Sequence, residues 1–450
     1  DLDLALEIIW KKEIGPKMLF QYDEPRPTLA KEIRCWLQDP CHSWRLNRVK
    51  NLHLRSCGLT VFPPEMSYFA HLEILDLSDN PSIHFFESWT AEFKQLKTLN
   101  LSGCRLPHFP SGITELSSLE LLNFSSNELT DLPVEIAELS QLKHLCLYRN
   151  PFDHLSESFG LLTALNHLEH LDLSNCRLSS LPPTIGCFSH LEVLDVSMNE
   201  LNALPDELGK LERLKALHLY QNRLKSFPPI LGNLAELELL ELSDNQIMEI
   251  SGEIGQLERL SCLQLSDNAL VNLPKEIGQL SSLQILNVAR NQLVKLPEEI
   301  AFLTHLHSLN VSGNRLTGIP EKVLIQIKRD PDFNFSLHSN PMLFLSRQLD
   351  LGAFAFSEDV DHEEMLTKYQ ACSIYSCRSP LAILCQEIHR GSDANVLLEL
   401  CKRLSSYMKD RVEAILKEIS WSDFLEKDLL SEAVVIAVQE KFQKLSSEQR

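Results

Sequence analysis

The sequence predicts an α/β solenoid: stacked repeats, each giving one short strand to a single parallel sheet. Three observations predict it. One apolar pattern recurs twelve times. Within each copy Leu and polar residues alternate, as in a half-buried strand. An Asn or Cys then closes each copy at one fixed place. Residues 260–270, LSCLQLSDNAL, show the frame: Leu260, Leu263, Leu265, Asn268, Leu270. The closing residues are Cys57, Asn80, Cys104, Asn127, Asn150, Cys176, Asn199, Asn222, Asn245, Asn268, Asn291 and Asn314. Their spacings are 23, 24, 23, 23, 26 and then 23 throughout. A register held this long marks a repeat architecture, in which each unit buries its apolar side only by stacking on its neighbours.

Each repeat reads in two halves. The LxxLxL half is a strand whose Leu side chains enter the core. The Asn amide sits in the turn that follows, where it can bond free backbone groups of that turn and of the adjoining coil. Cys at the same place is a weaker partner. The other half carries Pro and a second apolar set: LPDELGKLERL at 204–214, LPKEIGQLSSL at 273–283 and LPEEIAFLTHL at 296–306. Pro there starts a short helical or 3₁₀ segment on the convex side. Three repeats depart from this form. The second reads PSIHFFESWTAEF after Asn80, the fifth is three residues longer after Asn150, and the ninth has Ile250-Ser251 in place of Leu-Pro. Bends or convex bulges are expected there. Asn340 is a degenerate thirteenth position, 26 residues after Asn314, expected to close the core.

Residues 1–48 lie outside the repeat. LALEIIW at 4–10 is apolar, DEPRP at 23–27 is a loop, and Leu29–Leu37 reads as a helix with Ile33, Trp36 and Leu37 on one face. A helical cap over the first coil is expected, because an open solenoid end exposes core. Residues 49–345 form the solenoid. Over 346–450 the Leu pattern, Pro and Asn ladder stop, and helical periodicity replaces them at 362–371, 379–389, 394–419 and 428–445. A helical C-terminal domain is expected.

Formal charge is −20. Residues 1–48 are neutral, 341–450 carry −5, and the repeats hold the remaining −15. Such a charge argues against nucleic acid or an anionic membrane surface as partner. No stretch approaches the roughly 20 apolar residues of a membrane span. No secretory signal is visible, and the chain begins at Asp1. None of the twelve Cys forms a CxxC pair, which favours free thiols in a reducing, cytoplasmic compartment. The rival reading is a disulfide cap such as Cys35–Cys41.

Catalytic signatures are absent: no phosphate loop, HExxH, GxSxG or dinucleotide fingerprint occurs. No cofactor is expected. His144 and His170 occupy equivalent places on successive strands, yet two neighbouring His on a sheet are more often structural than metal-binding. A recognition surface is the stronger reading. Side chains between the core Leu positions point to the concave face. The central outward ladder there runs His53, Asp76, Asn100, Asn123, Cys146, Asp172, Asp195, His218, Glu241, Gln264, Asn287, Asn310. The next ladder is mostly Ser, broken by Tyr148 and Tyr220, which adjoin Arg149 and Gln221. Aromatics with a polar tip are favoured binding anchors. Asp172, Asp195, Glu241, Asp244 and Asp267 flank them. An open sheet would leave these carboxylates as a solvated acidic face rather than a general acid/base pair. The candidate protein-binding set is therefore Tyr148, Arg149, Asp172, Asp195, His218, Tyr220, Glu241, Asp244 and Asp267. Its partner would be a protein with a basic surface.

The LPxEIGxLxxLxxLxLSxN form resembles the intracellular class of leucine-rich repeats found in Ras-associated scaffold and Scribble/Erbin-type proteins. Residues 30–66, AKEIRCWLQDPCHSWRLNRVKNLHLRSCGLTVFPPEM, are similar to the run into the repeats in leucine-rich repeat proteins of chlamydia-related intracellular bacteria. The resemblance covers roughly 30–342. It implies a horseshoe used for non-enzymatic protein binding, in a scaffold, in signalling or in a host-directed effector. An alternative is a ubiquitin ligase of the bacterial type that places a helical catalytic domain after its repeats. That family uses a Cys-x-Asp motif. Here Cys372, Cys377, Cys385 and Cys401 are followed two places on by Ile374, Ser379, Glu387 and Arg403, so only Cys385-Gln386-Glu387 is loosely analogous. The repeats of that family are also shorter, roughly 20 residues.

Overall fold

The computed structural model describes residues 2–340 apart from 19–25, 86–88, 91, 111, 153–156 and 331. The chain divides into two units, Asp1–Leu309 and Asn310–Arg450. The expected C-terminal domain over 346–450, its four helices and its cysteines lie outside the described residues.

The first unit opens with the cap. Helix α1 (Leu2–Ile9) passes through a π turn (Trp10–Ile14) into the short α2 (Gly15–Lys17). Helix α3 (Ala30–Gln38) falls within one residue of the expected span and buries Ala30, Ile33, Trp36 and Leu37. Helix α4 (Ser43–Leu46) leads into the first strand. The cap is tied internally. Trp10 meets Trp36 edge-on at 5.0 Å, and Glu7 Oε1 accepts the Ala30 N–H at 2.8 Å. Arg34 bridges Asp3 (2.6 Å) and Glu65, the latter on the first convex turn.

The strands are β1 (Asn51–His53), β2 (Ile74–Asp76), β3 (Thr98–Asn100), β4 (Leu121–Asn123), β5 (His144–Cys146), β6 (His170–Asp172), β7 (Val193–Asp195), β8 (Ala216–His218), β9 (Leu239–Glu241), β10 (Cys262–Gln264), β11 (Ile285–Asn287), β12 (Ser308–Asn310) and β13 (Asn334–Ser336). They form one 13-stranded sheet in chain order. Registers shift by one repeat per strand with no slip, as in Leu194↔Leu217 and Leu217↔Leu240. The middle residue of each strand is a fully buried Leu from β1 to β12, which fixes register because a slip of one residue would turn the Leu outward.

The Asn ladder works as its position requires. Asn80 is fully buried; its Nδ2 donates to Leu54 O (2.9 Å), Leu77 O (2.8 Å) and Ser78 O (3.2 Å), and its Oδ1 accepts from Leu59 N (2.9 Å). One side chain thus joins its own turn to the preceding coil. The pattern repeats at Asn127, Asn150, Asn199, Asn222 and Asn245. Asn268 makes the same bonds but is only half-buried, so its turn is less enclosed than that of Asn80. Cys104 and Cys176 keep the donor half alone, Sγ–H to Leu77 O and Leu147 O at 3.3 Å each.

The convex segments are 3₁₀ turns, mostly of five residues, such as Asp206–Lys210 and Lys275–Gln279. Pro does not start them in the plain repeats. Pro205, Pro274 and Pro297 sit one place earlier, extended, where they fix φ before the turn begins. Only in the Pro-Pro repeats does the second Pro, Pro64, Pro183 or Pro229, begin the turn. The ninth repeat does not break: Ser251 takes the extended place of Pro and the turn Gly252–Gln256 follows as elsewhere. The second repeat holds an aromatic cluster instead, with Trp89 edge-on to Phe62 at 5.7 Å and Phe93 at 6.1 Å from Phe62.

Gly recurs in these turns for a steric reason. A Cβ on Gly278 would lie 2.5 Å from the Glu299 carbonyl oxygen of the next coil, and one on Gly186 would lie 2.3 Å from that of Glu207. A side-chain rotation cannot relieve contact with backbone. Gly278→Ala is therefore expected to cost about 1–3 kcal/mol by overpacking. Gly160→Ala, whose Cβ would meet only Thr184 Cγ2 at 3.8 Å, should be near neutral. Thermal melts of the two variants check this; equal midpoints would refute it.

Within the second unit the described residues run to Asn340. Helix α5 (Glu321–Arg329) replaces the 3₁₀ turn, which accounts for the longer final spacing. Asn340 closes that coil as expected, donating to Val311 O and Leu337 O at 2.9 Å and accepting from Leu316 N at 3.0 Å.

Candidate functional site

The outward side chains of β5–β10 lie in columns, because each strand repeats its neighbour's register. The central column pairs Cys146↔Asp172, Asp172↔Asp195, Asp195↔His218, His218↔Glu241 and Glu241↔Gln264. The sequence-derived residues Asp172, Asp195, His218 and Glu241 are thus consecutive across four strands. Tyr148 and Tyr220 belong to the next column and are half-buried. Arg149, Asp244 and Asp267 are separate: they occupy the turn after the strand, at φ 56°, 54° and 55°. These are left-handed positions on the rim of the face.

Two expectations about the charges need correction. The acids are not a solvated face. Asp172 and Asp195 are half-buried, and Glu241 and His218 are each only 5 % exposed. Neighbouring side chains in the columns take the place of water. Burial therefore raises the Asp172, Asp195 and Glu241 carboxyls above their ordinary range, Glu241 to about 7. The negative charge of Asp195 adds to the rise at Asp172 and, more weakly, at Glu241. Burial also holds His218 neutral, pushed down to about 4. Asp267, second, is not a free acid, because Arg290 grips both its oxygens.

The Ser column, to which no role was assigned from the sequence, orients the acids. Asp172 Oδ1 accepts from Ser174 N (2.9 Å) and Ser174 Oγ (2.5 Å), and Asp195 Oδ1 does the same with Ser197 at 2.9 and 2.5 Å. Each carboxylate is aimed by its own strand through one oxygen. The Asp-x-Ser spacing was the available signal. Gln264 extends the polar ladder, accepting from Asn287 Nδ2 at 2.8 Å. Leu239 and Cys262 are buried on the same face, 1 % and 3 % exposed, and form an apolar border.

Other chemistry is weakly provided for. The His144 and His170 rings are 5.7 Å apart, and among the described residues no group of three or more metal-binding side chains comes together. All eight described cysteines are free, Cys35 and Cys41 included, so no disulfide joins that pair. Burial pushes the Cys104 thiol up to about 11 and the Cys146 and Cys176 thiols up to about 12. A thiol so protonated is a poor nucleophile. No described helix is long and apolar enough to cross a membrane.

The family described as leucine-rich repeat region matches residues 48–169, 153–266 and 250–326. Together these matches span more than half of the 450-residue chain, and the chain belongs to the leucine-rich repeat family. No curated protein sequence matches it. Among solved structures, it is similar to the plant peptide hormone receptor RGFR1 in complex with RGF2: 31% identity, TM-score 0.52, 65% of this chain and 48% of that one. The chain thus spans about half the length of that receptor. An internalin from Listeria monocytogenes shares the fold at 20% identity and TM-score 0.50, over 67% of this chain and 92% of that one. A leucine-rich repeat protein of Leptospira interrogans aligns at 27% identity and TM-score 0.39, over 66% of this chain and 98% of that one.

Proposed function

We propose that this chain is a non-enzymatic recognition module that binds a protein partner with a basic surface on the open face of β5–β10. The observation that carries the reading is a run of acids without a cationic partner among the described residues: Asp172 and Asp195, each aimed by the Ser of its own strand, lie between Tyr148 and Tyr220, and Glu241 stands one strand beyond. The two Tyr are three strands apart, roughly 15 Å at ordinary strand spacing, a distance one standard interface spans. Arg149 and Asp244 would supply rim contacts, whereas Asp267 is already occupied by Arg290. The receptor at 31% identity, solved with a peptide hormone, supports use of such a fold for a polypeptide ligand. Free thiols at all eight described cysteines fit a reducing cytoplasm. The resemblance of residues 30–66 to proteins of intracellular bacteria extends the reading to a host-directed effector. Affinity capture with the full chain tests it. Tyr148→Ala and Tyr220→Ala should each weaken the captured partner by more than about 1 kcal/mol. A partner indifferent to both, but lost on substitution of convex residues, would place recognition elsewhere.

A further inference from the structure

We propose that Asp195, His218 and Glu241 form a socket for one cationic side chain, a lysine or arginine of the partner, whose capture is coupled to loss of a proton from the socket. This deepens the protein-recognition reading and rests on it.

The three residues stand side by side on β7, β8 and β9. Asp195 spends one oxygen on Ser197, and among the described residues no hydrogen bond holds the other. His218 is 95 % enclosed, and its Nδ1 is buried without a hydrogen-bond partner. A buried polar atom left unsatisfied costs roughly 1–3 kcal/mol, so a group that bonds Nδ1 between the two acids recovers that cost. That group must be a donor if the ring stays neutral with Nδ1 as acceptor. A positive donor answers the acids at the same time. This chain supplies none on the sheet: from β5 to β11 the three outward columns hold His144, His170, Tyr148, Tyr220, acids, amides, Ser, Cys and apolar residues, but no Lys or Arg. Arg149 and Arg290 stand on the turn rim, and Arg290 is engaged with Asp267.

Proton coupling follows from the same packing. The groups facing Glu241 are His218 beside it on β8, Tyr220, Asp195, Ser243 and Asp244; those facing Asp195 and His218 include Asp172 and, for Asp195, Tyr220, with His170 beyond Asp172. With burial uppermost, Glu241 gives up its proton only near 7. An arriving cation favours the ionised form and must displace that proton. Affinity should then rise with pH until the free socket is already ionised.

Pentalysine, titrated calorimetrically into the full chain at about 0.15 M salt to screen distant charges, is the probe. One linked proton near 7 gives an affinity rise of about tenfold between about pH 6 and pH 8. Glu241→Gln and Asp195→Asn should each lose about tenfold at the upper pH, and Glu241→Gln should flatten the dependence. Glu258→Gln, which removes a charge elsewhere on the first unit, should behave as the unaltered chain. No binding of pentalysine, equal losses in Glu258→Gln, or affinity independent of pH overturns the socket. A natural partner captured through Tyr148 and Tyr220 but indifferent to Glu241→Gln would also overturn it, and would leave the protein-recognition reading standing.

Discussion

Asn80→Ala is expected to destabilise the first unit by about 3 kcal/mol. The side chain makes four hydrogen bonds, but not all are equally exposed to loss. Ser78 O also receives Ser56 N, and Leu77 O also receives the Cys104 thiol. Leu54 O and Leu59 N depend on Asn80. Truncation leaves those two buried groups without partners, and each costs roughly 1–3 kcal/mol. Asn80→Asp should be worse than Ala, since a buried carboxylate cannot donate to three carbonyls and brings an uncompensated charge. Cys104→Ala, which deletes only a weak donor, should cost about 1 kcal/mol, near the value of the buried group removed. Amide exchange locates the effect. A solenoid coil contacts mainly its neighbours, so Leu59 and the first two strands should lose protection while β9–β11 keep theirs. Unchanged exchange at Leu59 would show that the ladder is ornamental at this coil.

The contrast between Asn80 and Asn268 shows where sequence reading succeeded and stopped. The period, the inward Leu and the bonding pattern of each Asn were legible, because each follows from a strand of period two repeated at fixed length. Helix α3 was legible for the same reason: Ile33, Trp36 and Leu37 mark one helical face. Enclosure was not legible. It depends on how far the side chains of the adjoining coils cover each position, and so Glu241 was read as solvated, against the structure. The columns of the candidate site could be written down from the sequence, whereas the Arg290 grip on Asp267 could not, since both lie on turns whose left-handed backbone sets the side-chain direction. A bend or bulge was expected at the Ile250-Ser251 repeat because it lacks Leu-Pro. An extended Ser serves the turn equally well.

Glu241→Gln is expected to stabilise the protein above neutral pH while weakening recognition, because the socket holds its acid against the preference of the fold. In the unfolded chain this carboxyl ionises at its ordinary 4.5, but in the folded one only at about 7. Between those values the folded form carries a proton that the unfolded form lacks. Stability therefore falls as pH rises through this window and levels off above it. The full penalty is about 3 kcal/mol, and Gln, which never ionises, escapes it. His218 has the opposite sign. Its folded value of about 4 lies below its ordinary 6.5, so the unfolded chain binds a proton first, and stability falls as pH drops through that interval. The two slopes oppose each other where the windows overlap, which gives the unaltered chain a flat profile there. Comparison at a single pH separates them. Glu241→Gln should gain about 3 kcal/mol near pH 8 and nothing near pH 4, whereas His218→Gln should gain only on the acid side. Urea midpoints of both variants across this range give the answer. A Glu241→Gln protein that is less stable than its parent at the upper pH, or equally improved at both ends, would mean that Glu241 is not held protonated by burial. A carboxylate retained at such a cost on the face of a sheet is better explained by what it binds than by what it stabilises.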